Sequence, residues 1–325
     1  MATKPLIALP EFASNPASDA GTVEPTQAKK DIGWLVGEKP PRETFNWLHR
    51  SAYRWLAWCE ASIDELSEVK VPAGYLTGFQ MANNPTDLAN HINFNQGVAS
   101  ATTSLKAIDN LGTGYSNKYL NVAWAEGKNQ GGLGNGLTKT ANTYYRCFVI
   151  SKIDGTVDYG FDTSETAANL LTSAASYSYY RQIGWIVTDG NADIIGFNQS
   201  GDDFWLEIPS NTGIIYSRSV AQLQTVITPP DVSTQAHIIA RATANGYNFN
   251  VHYLVSPTRS RDVTVNSYNA NIQVYGHNET SIGSNTSLLI PSSSNSQIRV
   301  NSDNNTNNSY VYIISTGWRD TRGKE

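Results

Sequence analysis

The chain has 325 residues, enough for two domains of ordinary size that each bury a core. Only 16% of the residues are charged, and the remainder is heavy in Ser, Thr, Asn, Gly and Tyr, a mixture that suits short strands and polar turns and disfavours a helical protein. A formal charge of −5 with no Lys or Arg block excludes the electrostatic footprint of a nucleic-acid binder, so nucleic acid is not expected as a partner.

Residues 1–42 carry Pro5, Pro10, Pro16, Pro25, Pro40 and Pro41 together with Gly21, Gly33 and Gly37. These forbid a long helix and predict an extended, irregular arm that becomes ordered by lying on a partner, with Leu6, Ile7, Leu9, Phe12, Ile32, Trp34 and Leu35 as its anchors. The opening MATKPLIALPEFAS lacks a charged segment followed by an apolar run, and no later window approaches 18 apolar residues. Neither export by a standard signal nor membrane insertion is expected, and synthesis in a reducing cytoplasm fits two free cysteines, Cys59 and Cys147, both expected to be buried.

A helix is predicted from about Arg42 to Val69, announced by Pro40-Pro41, with Glu43 in a first turn where the helix dipole favours negative charge. Its spacing gives Phe45, Leu48, Ala52, Trp55, Cys59, Ser62, Leu66 and Val69, the alternating three and four of a coiled-coil seam. Trp47, Tyr53, Leu56, Trp58 and Ile63 fall outside that seam, so the helix has more apolar surface than one inward face can use. No second long helix is predicted in the chain, which leaves helices of other copies as partners for residues 43–70.

A connector, VPAGYLTGFQMANNPTDLANH, leads to short alternating runs: KYLNVAWAEG, NTYYRCFVISK, DGTVDYGFD, YYRQIGWIVTD and GDDFWLEI, with a glycine cluster GKNQGGLGNG and a helical excursion at SETAANLLTSAAS. This is a central β domain within 71–209. Tyr145, Cys147 and Val149 against Tyr144, Arg146 and Phe148 make both faces of one strand bulky, as for a strand covered on both sides or at a subunit contact. Residues 210–325 repeat the pattern in SRSVAQLQTVIT, AHIIARATA, YNFNVHYLVS, RDVTVNSY, NIQVYG, SLLIP, SQIRVNS and SYVYIIST, spaced as in an antiparallel β-sandwich of jelly-roll type.

Catalytic chemistry finds little support. The best carboxylate cluster, Asp154, Asp158 and Asp162 with Asp202 and Asp203, reads as turn and cap residues: Asp154-Gly155 is a hairpin turn and Asp162-Thr-Ser-Glu165 a helix start. His49, His91, His237, His252 and His277 show no metal-ligand spacing, and the glycine cluster lacks the Lys-Ser/Thr of a phosphate loop. No cofactor, metal or enzymatic activity is expected. For binding, saccharide recognition needs aromatic faces beside amides and hydroxyls, which points to Tyr247, Tyr253, Tyr268, Asn269, Asn271, Tyr275 and His277.

Three stretches resemble one family. GWLVGEKPPRETFNWLHRSAYRWL is similar to a Gly-x-Lys-Pro-Pro-Arg-Glu-x-x-Asn-Trp-Leu segment, the strings from KYLNVAWAEGKNQGGLGNG to GDDFWLEI to a recurring middle module, and IISTGWRDTRGKE to a Gly-Trp-Ile-Asp-x-Arg-Gly terminus in which Arg319 replaces the usual Ile. Together they resemble the short tail-fibre and related tail proteins of tailed bacteriophages and prophages over nearly the whole chain. The resemblance implies a mainly β, fibre-like homotrimer located in the virion. Its N-terminal region, including Leu6, Ile7, Phe12, Trp34, Leu35 and Trp47, would attach to tail or baseplate proteins. Its C-terminal domain would face bacterial surface polysaccharide or protein. Two other roles are weighed: an adaptor that docks another fibre, and a polysaccharide depolymerase, which the missing rungs of a β-helix disfavour.

Overall fold

The structure is a computed structural model that describes residues 23–67, 70–112, 116–216, 221–230, 234–244, 250–260, 270–275, 282–303 and 309–324, with the backbone alone described at 32, 60–67, 244, 250–251, 274–275 and 282–283. It is mainly β, with 49% of the residues in strands against 12% in helices. The chain forms two compact units, Met1–Val69 and Lys70–Glu325.

In the first unit, α1 (Gln27–Ile32) interrupts the arm predicted to be irregular. It occupies the longest stretch of that arm free of both Pro and Gly, and it stops at Gly33, whose φ of 77° ends the helix and whose N–H bonds the Lys29 carbonyl at 3.0 Å. The second helix, α2 (Arg42–Ser67), starts directly after Pro41, whose carbonyl accepts the Phe45 N–H at 3.0 Å. Its 26 residues span about 39 Å at the α-helical rise.

The second unit begins with β1 (Leu76–Gly78), β2 (Met81–Asn83), β3 (His91–Phe94), β4 (Gly97–Ser100), β5 (Ala107–Asp109), β6 (Ser116–Ala123) and β7 (Gln130–Leu133). There follow β8 (Tyr144–Ser151), β9 (Val157–Asp162), α3 (Ala168–Ser173), β10 (Tyr179–Val187), β11 (Phe197–Ser200) and β12 (Asp203–Tyr216). The rest comprises β13 (Gln222–Thr225), β14 (Thr234–Ala244), β15 (Asn250–Pro257), β16 (Ile272–Tyr275), β17 (Ile282–Pro291), β18 (Gln297–Ser302) and β19 (Ser309–Asp320). The expected connector therefore contains two strands, and the glycine cluster contains β7, which pairs in parallel with both β6 and β9. The expected strand RDVTVNSY, residues 261–268, lies outside the described residues.

Among the described residues, twelve strands form one sheet in the order β10-β8-β9-β7-β6-β3-β2-β11-β12-β19-β14-β17, and β1-β4-β5 and β13-β18-β15-β16 form two smaller sheets. The first core is aromatic, with Phe79, Phe94, Tyr159, Phe161, Phe204 and Trp318 fully or almost fully buried between the large sheet and the three-stranded one. The second core is aliphatic, built from Ile215, Ile238, Ala240, Val311 and Ile313 of the large sheet against Val255, Ile272, Ile298 and Val300 of the four-stranded one. Strand β8 is covered on both sides, by the first core under Tyr145, Cys147 and Val149 and by α3 with Leu170 over Phe148 and Ile150.

A break between domains at 209/210 is not how the chain is divided. Strand β12 runs through that point, and β19 contributes Trp318 to the first core and Val311 and Ile313 to the second. The two cores change over near this boundary, but one continuous sheet carries both. The segment after β19 adds a clamp: Arg181 Nη2 donates to the Arg322 carbonyl at 2.8 Å, while Arg322 Nη1 reaches the Gly78 carbonyl at 3.2 Å and its Nη2 reaches Asp202 at 3.1 Å.

Candidate functional site

Phe204 and Trp205 are neighbours in β12, so the strand period of two sends them to opposite faces. Phe204 turns inward and stacks on Trp318 with ring centroids 5.3 Å apart, whereas Trp205 faces outward and is 42% exposed. Across the sheet, Trp205 pairs with Gly317 of β19, which pairs on its other side with His237 of β14. Gly317 has a φ of +149°, and a Cβ there would lie 1.9 Å from the Phe204 carbonyl oxygen, so only glycine fits. The missing side chain leaves a gap across which Trp205 and His237 stack, with ring centroids 4.2 Å apart and 29° between planes.

His237 is fixed in turn. Its Nε2 lies 2.8 Å from Asp203 Oδ1, and Arg319 grips the same carboxylate through Nε at 2.7 Å and Nη2 at 3.0 Å. The Arg319 guanidinium first, and the His237 hydrogen bond after it, hold the Asp203 carboxyl below its usual range although burial works the other way. Arg319 is thus the bidentate partner of Asp203.

Beyond Trp205 the ladder opens. Trp205 pairs with Gly317 but the next pair is Ser210 with Ser315, so residues 206–209 face Thr316 alone. Pro209 has no N–H to offer β19, and Ile208 is pushed outward to 80% exposure. The bulge forms one wall of a groove of about 420 Å³ lined by Trp205, Pro209, His237, Ser287, Leu289 and Thr316. Further along the outward face the sheet presents Ile214, Tyr216, Tyr310, Tyr312 and Ile314, with Tyr310 edge-on to Tyr312 at 5.2 Å. The inward face of these strands is the second core.

The expected seam lies open on the described chain. Phe45, Leu48, Ala52, Trp55 and Cys59 are all exposed, Trp55 by 66%; Leu66 lies in the helix, its side chain outside the described residues. Cys59 is therefore not buried within its own chain, whereas Cys147 is, and burial pushes the Cys147 thiol well up. Leu56 and Trp58 are exposed too, and Trp58 meets Trp55 edge-on at 5.7 Å. Among the described residues of this unit only Thr44 is buried. Of the expected attachment residues, Trp34 is half-buried, Leu35 is exposed, and half-buried Trp47 lies under Lys30 at 5.6 Å; Leu6, Ile7 and Phe12 lie outside the described residues.

The expected saccharide contacts fare differently. Tyr253 is 0% exposed in the second core, because the inward positions of β15 are Tyr253 and Val255. Asn271 spends its amide on the chain itself: Oδ1 accepts the Val255 N–H at 2.9 Å and Nδ2 donates to the Val255 carbonyl at 2.6 Å, as a paired strand would. Tyr275 is described by its backbone, which pairs with Asn250, and Tyr247, Tyr268, Asn269 and His277 lie outside the described residues. The residues that do line a groove were missed. The adjacent aromatics of GDDFWLEIP, one of which must face outward, and the proline closing the run were the available signals.

The five carboxylates are occupied locally. Asp154 accepts the Thr156 N–H in its turn, Asp158 pairs with Lys118, Asp162 accepts the Ser164 and Leu170 N–H groups at the start of α3, and Asp202 holds Arg322 and Lys324. Among the described residues no group of three or more His, Cys, Asp or Glu is placed to hold a metal ion, and no described helix is long and apolar enough to cross a membrane. No protein-family model matches the chain, and no curated protein matches it at a significant level.

Proposed function

We propose that this protein is a homotrimeric structural component of a bacteriophage tail, a tail fibre or receptor-binding protein. Its N-terminal region attaches to the tail or baseplate, and its C-terminal half contacts the host surface. In this reading α2 is a trimeric coiled coil, and the two sheets around the second core form a jelly-roll-like sandwich. The observation that carries the proposal is the open seam: a 26-residue helix whose a/d positions Phe45, Leu48, Ala52, Trp55 and Cys59 are exposed in the single chain. Phe45, Leu48 and Trp55 in water forgo a good part of the roughly 1.5–3 kcal/mol that full burial supplies for a large apolar side chain, and parallel copies are the partners that fit a heptad. The residue pattern of the two chain ends, through the family resemblance, supports the place in the virion.

Light scattering of full-length protein should return three times the 35.5 kDa of one chain. Trp55→Asp puts a charge on the axis at a cost of several kcal/mol per desolvated ion and should return the single-chain mass; an unchanged assembly contradicts the coiled coil. Antibody against the last residues should decorate tails in micrographs of the particles, and particles free of label contradict the virion assignment. The outward strip of Ile214, Tyr216 and Tyr312 favours a second reading, an adaptor on which another fibre docks. Saturable binding to host cells that competes with phage adsorption separates the first reading from the second.

A further inference from the structure

The groove at the β12 bulge has two kinds of wall. Its floor is the Trp205 indole, held against His237, which is itself held by Asp203, so the ring is oriented before any ligand arrives. Pro209 and Leu289 add apolar surface, while Ser287 and Thr316 carry hydroxyls that donate and accept. Two residues along the ladder from the Trp205–Gly317 pair, Arg319 grips Asp203 through Nε and Nη2 and so fixes the carboxylate that holds His237. A pyranose ring has the matching two sides: an apolar C–H face that lies on an indole, and hydroxyls around its edge. The groove's volume of about 420 Å³ falls in the lower part of the range for small-molecule sites, roughly 300–1,000 Å³.

We propose that this groove is a saccharide-binding site that takes a hexopyranose unit of a glycan, its C–H face on Trp205 and its hydroxyls on Ser287 and Thr316. That the glycan belongs to a host surface rests on the function proposed above; the site itself rests on the geometry. The competing occupant, a second copy of this chain, suits the apolar strip of Ile214, Tyr216 and Tyr312 better than a recess that carries the Ser287 and Thr316 hydroxyls.

The test uses full-length protein and the methyl glycosides of glucose, galactose, mannose and N-acetylglucosamine, with sorbitol as a polyol that lacks a ring, read by saturation-transfer NMR and calorimetry. At least one glycoside should saturate while sorbitol does not. Trp205→Ala should weaken that binding at least tenfold, Trp205→Phe by less, and Leu223→Ala, exposed on the other sheet, should leave it unchanged. Circular dichroism confirms that each variant is folded, and Trp205→Phe keeps the test decisive if Trp205→Ala is not. The proposal is overturned if no glycoside saturates the wild type, if Trp205→Ala binds equally well, or if Trp205 variants change the assembled mass, which would place the groove between copies. A trimer that binds no glycoside removes this inference alone; a single-chain mass with glycoside binding intact removes the trimer and leaves the site.

Discussion

Lys118 and Asp158 form an ion pair inside the central sheet, Nζ to Oδ1 at 2.9 Å, with both side chains almost completely buried. Lys118 also donates to the Ala125 carbonyl at 2.7 Å, and Asp158 accepts the Gly127 N–H at 2.9 Å. Burial pushes the Lys118 ammonium down and the Asp158 carboxyl up, each toward its neutral form, and the partner opposes both. Lys118→Ala should cost about 3–5 kcal/mol in denaturant unfolding because it strands a buried carboxylate, whereas Lys118→Met with Asp158→Leu should recover most of that; equal losses in both variants contradict the argument. Asp203 gives the opposite case. Its native carboxyl is lowered by Arg319, so its stabilisation is fully present above the unfolded value of about 3.9 and is lost as pH falls through the native one. Melting temperatures of wild type and Asp203→Asn should differ near neutral pH and converge in acid below about pH 4; a gap that stays constant contradicts the assignment. At this scale the sequence distinguished inside from outside poorly. In NVHYLVS both strand faces are bulky, so alternation could not show that Tyr253 turns inward, and the turn aspartates were legible only because Asp-Gly and Asp-Thr-Ser have local hydrogen-bonding habits of their own.

Long strands with two bulky faces or clear alternation, such as β8, β14 and β19, were readable because their apolar residues are close in sequence and self-consistent. The short β1, β2 and β7 were not: MAN and QGGL contain no periodicity, and they are strands because neighbours supply their hydrogen bonds. Helix α2 was readable from proline to proline, while α1 was lost among prolines that constrain only their own neighbourhoods. Strand β19 carries the sharpest element-level constraint, since it joins both cores and its Gly317 lets three strands approach. Gly317→Ala must open the pair with β12 to relieve contact with the Phe204 carbonyl, and strain of about 1–3 kcal/mol adds to overpacking of similar size. The variant should therefore melt well below wild type with Trp318 fluorescence exposed early; melting within about a degree of wild type would mean that the backbone adapts at no cost.

The two units differ in what holds them. Residues 70–325 bury an aromatic and an aliphatic core under one sheet, and residues 320–324 are tied back to Gly78, Arg181 and Asp202. The first unit buries only Thr44 among its described residues, so under the proposed coiled coil its stability would come from the copies that cover α2. Folding of the second unit should then be independent of concentration, while the helix should exist only when copies associate. A fragment comprising residues 70–325 should melt at nearly the temperature of the β transition in full-length protein and sediment as a single chain. Full-length protein should sediment as three chains and lose helical circular dichroism on dilution or on mild heating, before the β transition begins. If the fragment itself assembles in threes, the strip around Tyr216 and Tyr312 is the trimer contact and α2 merely follows it; if helicity survives dilution to single chains, the tryptophans of α2 need no partner.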